Sequence, residues 1–264
     1  MGEGGGQGPD GRRAAIGIRR LRHEYVDRQT GASVLAIEDL DLDVADGEFV
    51  AILGQSGCGK TTLLYLIAGL LQPTAGEIRV DGVPVRGPGR DRGVVFQDYA
   101  LLPWKSVLAN IGLGPKLRGV PRPERDAIAR RFIALVGLDG FEDRYPHELS
   151  GGMKQRVAVA RTLAADPRAV LMDEPFAAVD AQTRITLQHE LVRIWRSTGK
   201  TILFVTHSVE EAAFLADRVV VLRPRPSRIR EIIPVTTPRE ARTPEDPGHA
   251  TVLARLLKSV RADV

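Results

Sequence analysis

Residues 53–62 read LGQSGCGKTT, and this stretch limits the fold more than any other. Three glycines and a lysine stand between two apolar runs, Phe49-Val50-Ala51-Ile52-Leu53 before them and LLYLIAGLL after. The flanks read as a buried strand and a buried helix, so the glycines sit at a strand-to-helix corner. Glycine admits positive φ there and lets backbone N–H groups approach a ligand closely. The helix that follows adds its unpaired N–H groups and the positive end of its dipole, which together favour an anion. Gly54, Gly59, Lys60 and Thr61 fit the pattern G-x-x-x-x-G-K-[ST], a cradle for the phosphates of a nucleoside triphosphate. Gln55, Ser56, Gly57, Cys58 and Thr62 complete the loop and are assigned to the same site. A thiol at Cys58, beside a lysine and a helix N-terminus, is expected to ionise readily and react with alkylating reagents. The other reading of Cys58 is a small buried side chain facing the sheet.

A chain of 264 residues can bury a large core, as one α/β domain or a domain with a subdomain. Its apolar stretches fall short of the ~20 residues that span a bilayer, and no charged and then apolar leader opens it. The single cysteine allows no intrachain disulfide and fits a reducing compartment. A net charge of only +4, with no basic stripe interleaved with aromatics, argues against nucleic acid as a partner. The arginines at 19, 20 and 22 and between Arg223 and Arg230 read as solvated.

Residues 1–13, MGEGGGQGPDGRR, cannot form a core and are expected to be disordered. Alternating apolar positions predict half-buried strands over Ala14 to Val26 and Val34 to Val50, with a polar turn between them. Further strands are predicted at 77–80, 93–97, 169–174, 201–206 and 218–222, and helices at 181–197 and 209–216. From about 98 to 165 helical spacing dominates, with Pro103, Pro115, Pro121 and Pro146 as breaks, which reads as an inserted helical subdomain. Strands alternating with helices predict a parallel sheet covered on both faces. Residues 236–264 read as a tail with a short helix, so the folded domain is expected over 14–235.

A second motif narrows the class. In LSGGMKQRVAVARTLAADP, Ser150 is a good N-cap, and Gly151 and Gly152 let the backbone approach an anion. Met153, Val157, Ala160 and Ala164 then recur with one helical stripe. This second anion-ready helix start, about ninety residues beyond the first, is unusual within one small domain. Downstream, VLMDEP ends a buried strand in two carboxylates. At the end of such a strand Asp173 can hold Mg²⁺ and Glu174 can polarise a water.

The P-loop, LSGGM, VLMDEP, AAVD and FVTH, in this order, resemble the ATP-binding subunit of ABC transporters over roughly residues 16–235. The resemblance implies a P-loop NTPase core with a mostly parallel sheet, an N-terminal antiparallel β region and an inserted helical subdomain. It implies ATP and Mg²⁺ as ligands: Lys60 on the β- and γ-phosphates, Thr61, Gln97 and Asp173 on the metal, and Glu174 as catalytic base. His207 resembles the switch histidine, and Gln97 the glutamine that reaches metal and water. Tyr25 stands where the family stacks an aromatic on adenine, and Asp180 where an aspartate crosses the dimer interface. Two copies would pair head to tail, Ser150, Gly151, Gly152 and Met153 of each capping the ATP held by the other. Met153 stands where glutamine is commonest, and FAAVD replaces an alanine-leucine-aspartate ending, but neither change removes a catalytic group.

A narrower resemblance is carried by VVFQDYALLPWKSVLANIGLG, GPGRDRG and THSVEEAAFLADRVVVLRPRPSRI, which are similar to ATPases of nitrate, sulfonate and taurine importers. It implies a peripheral place on the cytoplasmic face of the membrane, integral permease subunits as partners and an extracytoplasmic substrate-binding protein beyond them. The cargo would be taurine, another sulfonate or nitrate. Tyr99, Leu101, Leu102 and Trp104 are expected to form the contact with the permease; the other reading makes Trp104 a core aromatic of the helical subdomain. The ATPase of a separate-subunit exporter or lipoprotein-release system, or of iron–sulfur assembly, would share the ATP motifs. A DNA-repair ATPase would need inserts this chain lacks, and a translation ATPase of the family a second P-loop.

Overall fold

The computed structural model describes residues 13–27, 29–177, 179–243 and 245–261. The tail expected over 1–13 lies outside the described residues except for Arg13, whose carbonyl accepts from the Asp46 N–H at 3.0 Å. In chain order the elements are β1 (Ala14–Val26), β2 (Ser33–Ala45), β3 (Phe49–Leu53), α1 (Lys60–Ala68), β4 (Ala75–Val80), β5 (Val83–Pro84) and β6 (Arg92–Val95). Four helices follow: α2 (Val107–Ile111), α3 (Leu113–Leu117), α4 (Arg122–Leu135) and α5 (Gly151–Ala164). The chain continues through β7 (Ala169–Asp173), α6 (Ala181–Thr198), β8 (Thr201–Thr206), α7 (Val209–Leu215), β9 (Arg218–Leu222), β10 (Ile229–Pro234) and α8 (Pro247–Arg261). It divides into two compact units, Met1–Gly89 with Thr201–Val264, and Arg90–Lys200. Among the described residues no helix is long and apolar enough to cross a membrane.

In the first unit β1 pairs antiparallel with both β2 and β4, and β5 extends β4. The alternation read from the sequence buries Leu40, Leu42 and Val44 of β2 against Ile16 and Ile18 of β1. The segment expected as one strand over 34–50 breaks after Ala45, where a turn leads into β3. There the pattern changes from alternating to fully buried, as a strand covered on both faces requires. β3 lies parallel to β8 and β9, and β10, not expected from the sequence, closes the edge antiparallel to β9. α1 ends at Gly69 in the left-handed region (φ 76), where a Cβ would stand 2.2 Å from the Gly87 carbonyl oxygen. Only glycine fits that cap. The arginine clusters stay at the surface and make ion pairs there: Arg19 pairs with Asp43 at 2.8 Å and Arg228 with Glu38 at 2.9 Å.

In the second unit β6 and β7 run parallel and the helices α2 to α5 pack together. Pro121 caps α4 and Pro146 opens a 3-10 turn, as breaks should, but Pro115 lies inside α3. It is the third residue of that short helix, where a backbone N–H has no intrahelical partner to lose. α8 runs for 15 residues and is longer than the short helix expected.

One ion pair fixes the turn into β3. The Glu48 carboxylate, nearly fully buried, accepts from Arg218 Nε at 2.8 Å and Nη2 at 3.0 Å and from the Ala45 N–H at 2.8 Å. Beside it Asp217 accepts from the Phe49 N–H at 3.0 Å. Removing one partner strands the other charge in a low-dielectric site. Glu48→Ala is expected to lower stability by about 3–5 kcal/mol in urea denaturation, far more than loss of an exposed pair such as Arg79–Glu77.

Candidate functional site

The loop 54–59 leaves β3 and turns into α1 with Gly57 and Gly59 at φ 77 and 97. α1 begins at Lys60 with no acidic residue in its first turn and no side-chain cap. Its N-terminal field is therefore not offset by a local carboxylate. Lys60 is buried and lies along the loop, its Nζ donating to the carbonyls of Gly54 at 2.8 Å and Gln55 at 3.0 Å. Thr61 and Ser56 are exposed at the mouth of the loop, and Thr62 is half-buried. Tyr25, 43 % exposed at the end of β1, places its hydroxyl 3.0 Å from Thr62 Oγ1 and meets His23 edge to face at 4.8 Å. An aromatic ring is thus fastened to the first turn of α1.

Cys58 corrects the expectation of a reactive thiol. It is 1 % exposed, and a Cβ on Gly54 would lie 2.6 Å from its Sγ. The side chain is the packing that Gly54 leaves room for, so only the main chain of Cys58 faces the loop's ligand side.

His207 belongs to the same unit. Leu53 lies opposite Thr206 in the β3–β8 pair, so the P-loop and His207 leave adjacent strands at the same end. Thr206 Oγ1 is bonded to Glu211 at 2.6 Å and accepts from the Ser208 N–H at 3.0 Å, which fixes the backbone on either side of the histidine. The imidazole itself is exposed.

The second unit gathers the acids. Val95 lies opposite Met172, so Gln97 and Asp173-Glu174 emerge from one end of β6 and β7. Asp173 is buried, whereas Gln97 is exposed and Glu174 half-buried. Glu174 has φ 42, a conformation that costs a non-glycine residue roughly 1–3 kcal/mol and concentrates at functional sites. Ser150 caps α5, accepting from the Met153 N–H at 3.3 Å, and this first turn too lacks acids. A Cβ on Gly152 would stand 2.9 Å from Thr183 Cγ2, so α5 and α6 begin in contact. Asp180 caps α6 and accepts from the Thr183 N–H at 3.0 Å; that bond and the Thr183 hydroxyl hold its carboxyl below the usual range. Gly151 and Asp180 are exposed and Met153 half-buried.

Of the residues expected to face a permease, Trp104 is 70 % exposed, which removes the core reading. Tyr99, Leu101 and Leu102 are half-buried rather than an open cluster. Two residues the sequence reading missed hold this segment. Asn110, fully buried, accepts from the Leu102 N–H at 2.9 Å and donates to the carbonyls of Leu102, Lys105 and Ser106. Arg161 of α5 donates to the Tyr99 and Ala100 carbonyls, at 2.9 and 2.6 Å, where both residues have positive φ. Arg161 is half-buried, and desolvation lowers its pKa below the usual guanidinium value. An asparagine inside a helical run was the available signal for the first; nothing in the local pattern marks the second.

A family model described as ABC transporter matches residues 37–177, more than half of the chain. The chain belongs to the ABC transporter family. It is an ATP-binding cassette that hydrolyses ATP, with the cassette fold of an antiparallel N-terminal sheet, a mixed and mostly parallel sheet, and a helical subdomain. An uncharacterized ABC transporter ATP-binding protein of Methanocaldococcus jannaschii is 59% identical over 79% of this chain and 78% of its own length. The taurine import ATP-binding protein TauB of Pseudomonas putida is 51% identical over 83% of this chain and 82% of its own. Among solved structures, a dimeric ATP-binding cassette in a post-hydrolysis state, bound to ADP and Pi, superposes with a TM-score of 0.72 at 30% identity. That match covers 83% of this chain and 98% of the other.

The buried Cys58 makes a direct prediction. The native protein is expected to resist a thiol reagent such as dithionitrobenzoate and to titrate one thiol per chain only in guanidinium. Rapid stoichiometric labelling of the native state would contradict the packing against Gly54.

Proposed function

We propose that this cassette is the ATP-hydrolysing subunit of an importer for a small anion, taurine or another sulfonate first and nitrate second. The observation that carries this reading is the 51% identity to a taurine import ATP-binding protein along four-fifths of both chains. The exposed Trp104 in its pinned segment supports it, because an ATPase with no membrane-crossing helix among its described residues would need another subunit to receive its motion. Integral permease subunits would receive Trp104 on the cytoplasmic face of the membrane, with Tyr99, Leu101 and Leu102 beneath it. A substrate-binding protein would deliver the anion from the other side.

In this reading the P-loop amides and Lys60 hold the ATP phosphates, and Tyr25 stacks on the adenine. Thr61, Gln97 and Asp173 would be the hydroxyl, carboxamide and carboxylate donors to Mg²⁺, oxygen ligands of the kind a hard ion takes. Bound there, Mg²⁺ neutralises charge on the β- and γ-phosphates. Glu174 accepts the proton of the attacking water. His207 contacts the γ-phosphate from an anchored turn. Ser150, Gly151, Gly152 and Met153 present the N-terminus of α5 to the ATP of a second copy, with Asp180 beside them. The dimeric state of the related ADP-bound cassette supports that pairing.

Glu174→Gln keeps size and hydrogen-bonding shape but cannot accept a proton. It is expected to reduce turnover about 100-fold or more while ATP binding persists, and to shift the chain to a dimer on size exclusion with MgATP. Near-normal turnover would sink the assignment of the base. For the importer reading, cells lacking this chain are expected to lose uptake of labelled taurine and regain it with the wild type. Trp104→Ala should hydrolyse ATP as the isolated wild type does, within about twofold, yet fail to restore uptake or to retain the permease on purification. An exposed hot-spot aromatic costs an interface more than a fold. Uptake unaffected by loss of the chain would remove taurine from the assignment.

A further inference from the structure

The P-loop has a neighbour that runs beside it in register. Within the parallel pair β3–β9, Val50 lies opposite Arg218 and Leu53 opposite Val221. The same offset of 168 positions continues after both strands end. A Cβ on Gly54 would stand 3.2 Å from the Leu222 carbonyl oxygen, and one on Gly59 3.1 Å from Ser227 Cβ. Between them Arg225 Nε donates to the Gly57 carbonyl at 2.9 Å. Behind the loop, Ser227 is fully buried and bridges to β2: its N–H donates to the Ala36 carbonyl at 2.9 Å, and its carbonyl accepts from the Glu38 N–H at 3.0 Å. Residues 222–227 are therefore bonded to a sheet on one side and touch every glycine of the P-loop on the other.

Leu222 and Ser227 meet the loop by packing alone. Arg225 is different, because its side chain is exposed and spends its Nε–H on one loop carbonyl. A loop of three glycines is costly to order, and whatever orders it before a ligand arrives removes that cost from binding. A guanidinium does so with a charge-assisted bond and leaves a positive charge next to the phosphate cradle.

We propose that residues 222–227 act as a rail that holds the P-loop in its phosphate-receiving shape, and that Arg225 is a positioning residue for ATP binding. The proposal rests on the assignment of the P-loop to the ATP phosphates made above. Arg225 of RPRPSR, which reads as solvated charge in the sequence, thereby acquires a role that composition does not suggest.

Arg225→Ala and Arg225→Lys test it, with Lys60→Ala as the reference for the P-loop itself. The probe is a fluorescent N-methylanthraniloyl ATP, titrated in each variant, alongside kcat and KM for MgATP and the Tm without nucleotide. Arg225→Ala is expected to raise the probe's Kd and the KM about tenfold, the scale of one charged hydrogen bond. Its kcat should stay within about twofold and its Tm within about 2 °C, because the lost bond is exposed. Arg225→Lys should fall between alanine and wild type, since its ammonium can donate to the same carbonyl. An Arg225→Ala protein with unchanged Kd and KM, or one whose Tm falls by more than that margin, overturns the proposal. Lys60→Ala binding the probe as well as wild type would instead mean that the P-loop assignment has failed.

Discussion

The buried pairing of Glu48 with Arg218 sets the frame on which the first unit's chemistry depends. Glu48 stands one residue before β3 and Arg218 is the first residue of β9, so their bidentate contact locks the register of two parallel strands at their start. Asp217 repeats the lock on the Phe49 N–H. Backbone hydrogen bonds alone would tolerate a slip of parallel strands, but a slip here would leave a charge buried without its partner. With the register fixed at one end, the other end delivers the P-loop beside residues 222–227.

Both units place the residues expected at the site by the same device, at the carboxyl ends of parallel strands. Lys60 and His207 follow β3 and β8, and Gln97, Asp173 and Glu174 follow β6 and β7. Ligands of such sheets collect at this edge because the strands end there and helices start there. The α1 and α5 N-termini are both free of first-turn acids, so the positive field of each is not offset locally. Polar groups around the site are spent on backbone rather than on one another: Thr206 and Glu211 fix the turn at His207, and Ser150 and Asp180 cap their helices. Catalysis by positioning and electrostatics needs such rigidity in its supports.

The second unit shows how an exposed tryptophan can be both solvent-accessible and precisely held. Asn110 ties together the segment from Leu102 to Ser106, and Arg161 of the signature helix grips Tyr99 and Ala100. These two bonds join α5 to the segment that carries Trp104.

The sequence by itself determined the class of chemistry. Short-range rules suffice to read a glycine-rich corner between apolar runs, an N-cap serine before two glycines, and carboxylates closing a buried strand. The strands at 169–173, 201–206 and 218–222 lie where their unbroken apolar runs put them. Three other points needed the tertiary structure. Cys58 reads as reactive from its neighbours in the chain, yet the space left by Gly54 swallows its thiol. Leu101 and Leu102 read as exposed beside Trp104, yet they are half-buried while Trp104 is open to solvent. The grip of Arg225 on Gly57 was invisible, because residues 168 positions apart meet only once β3 and β9 have paired. Periodicity reports which face of an element is buried; it carries no information about which distant side chain arrives there, and that is decided by register and packing.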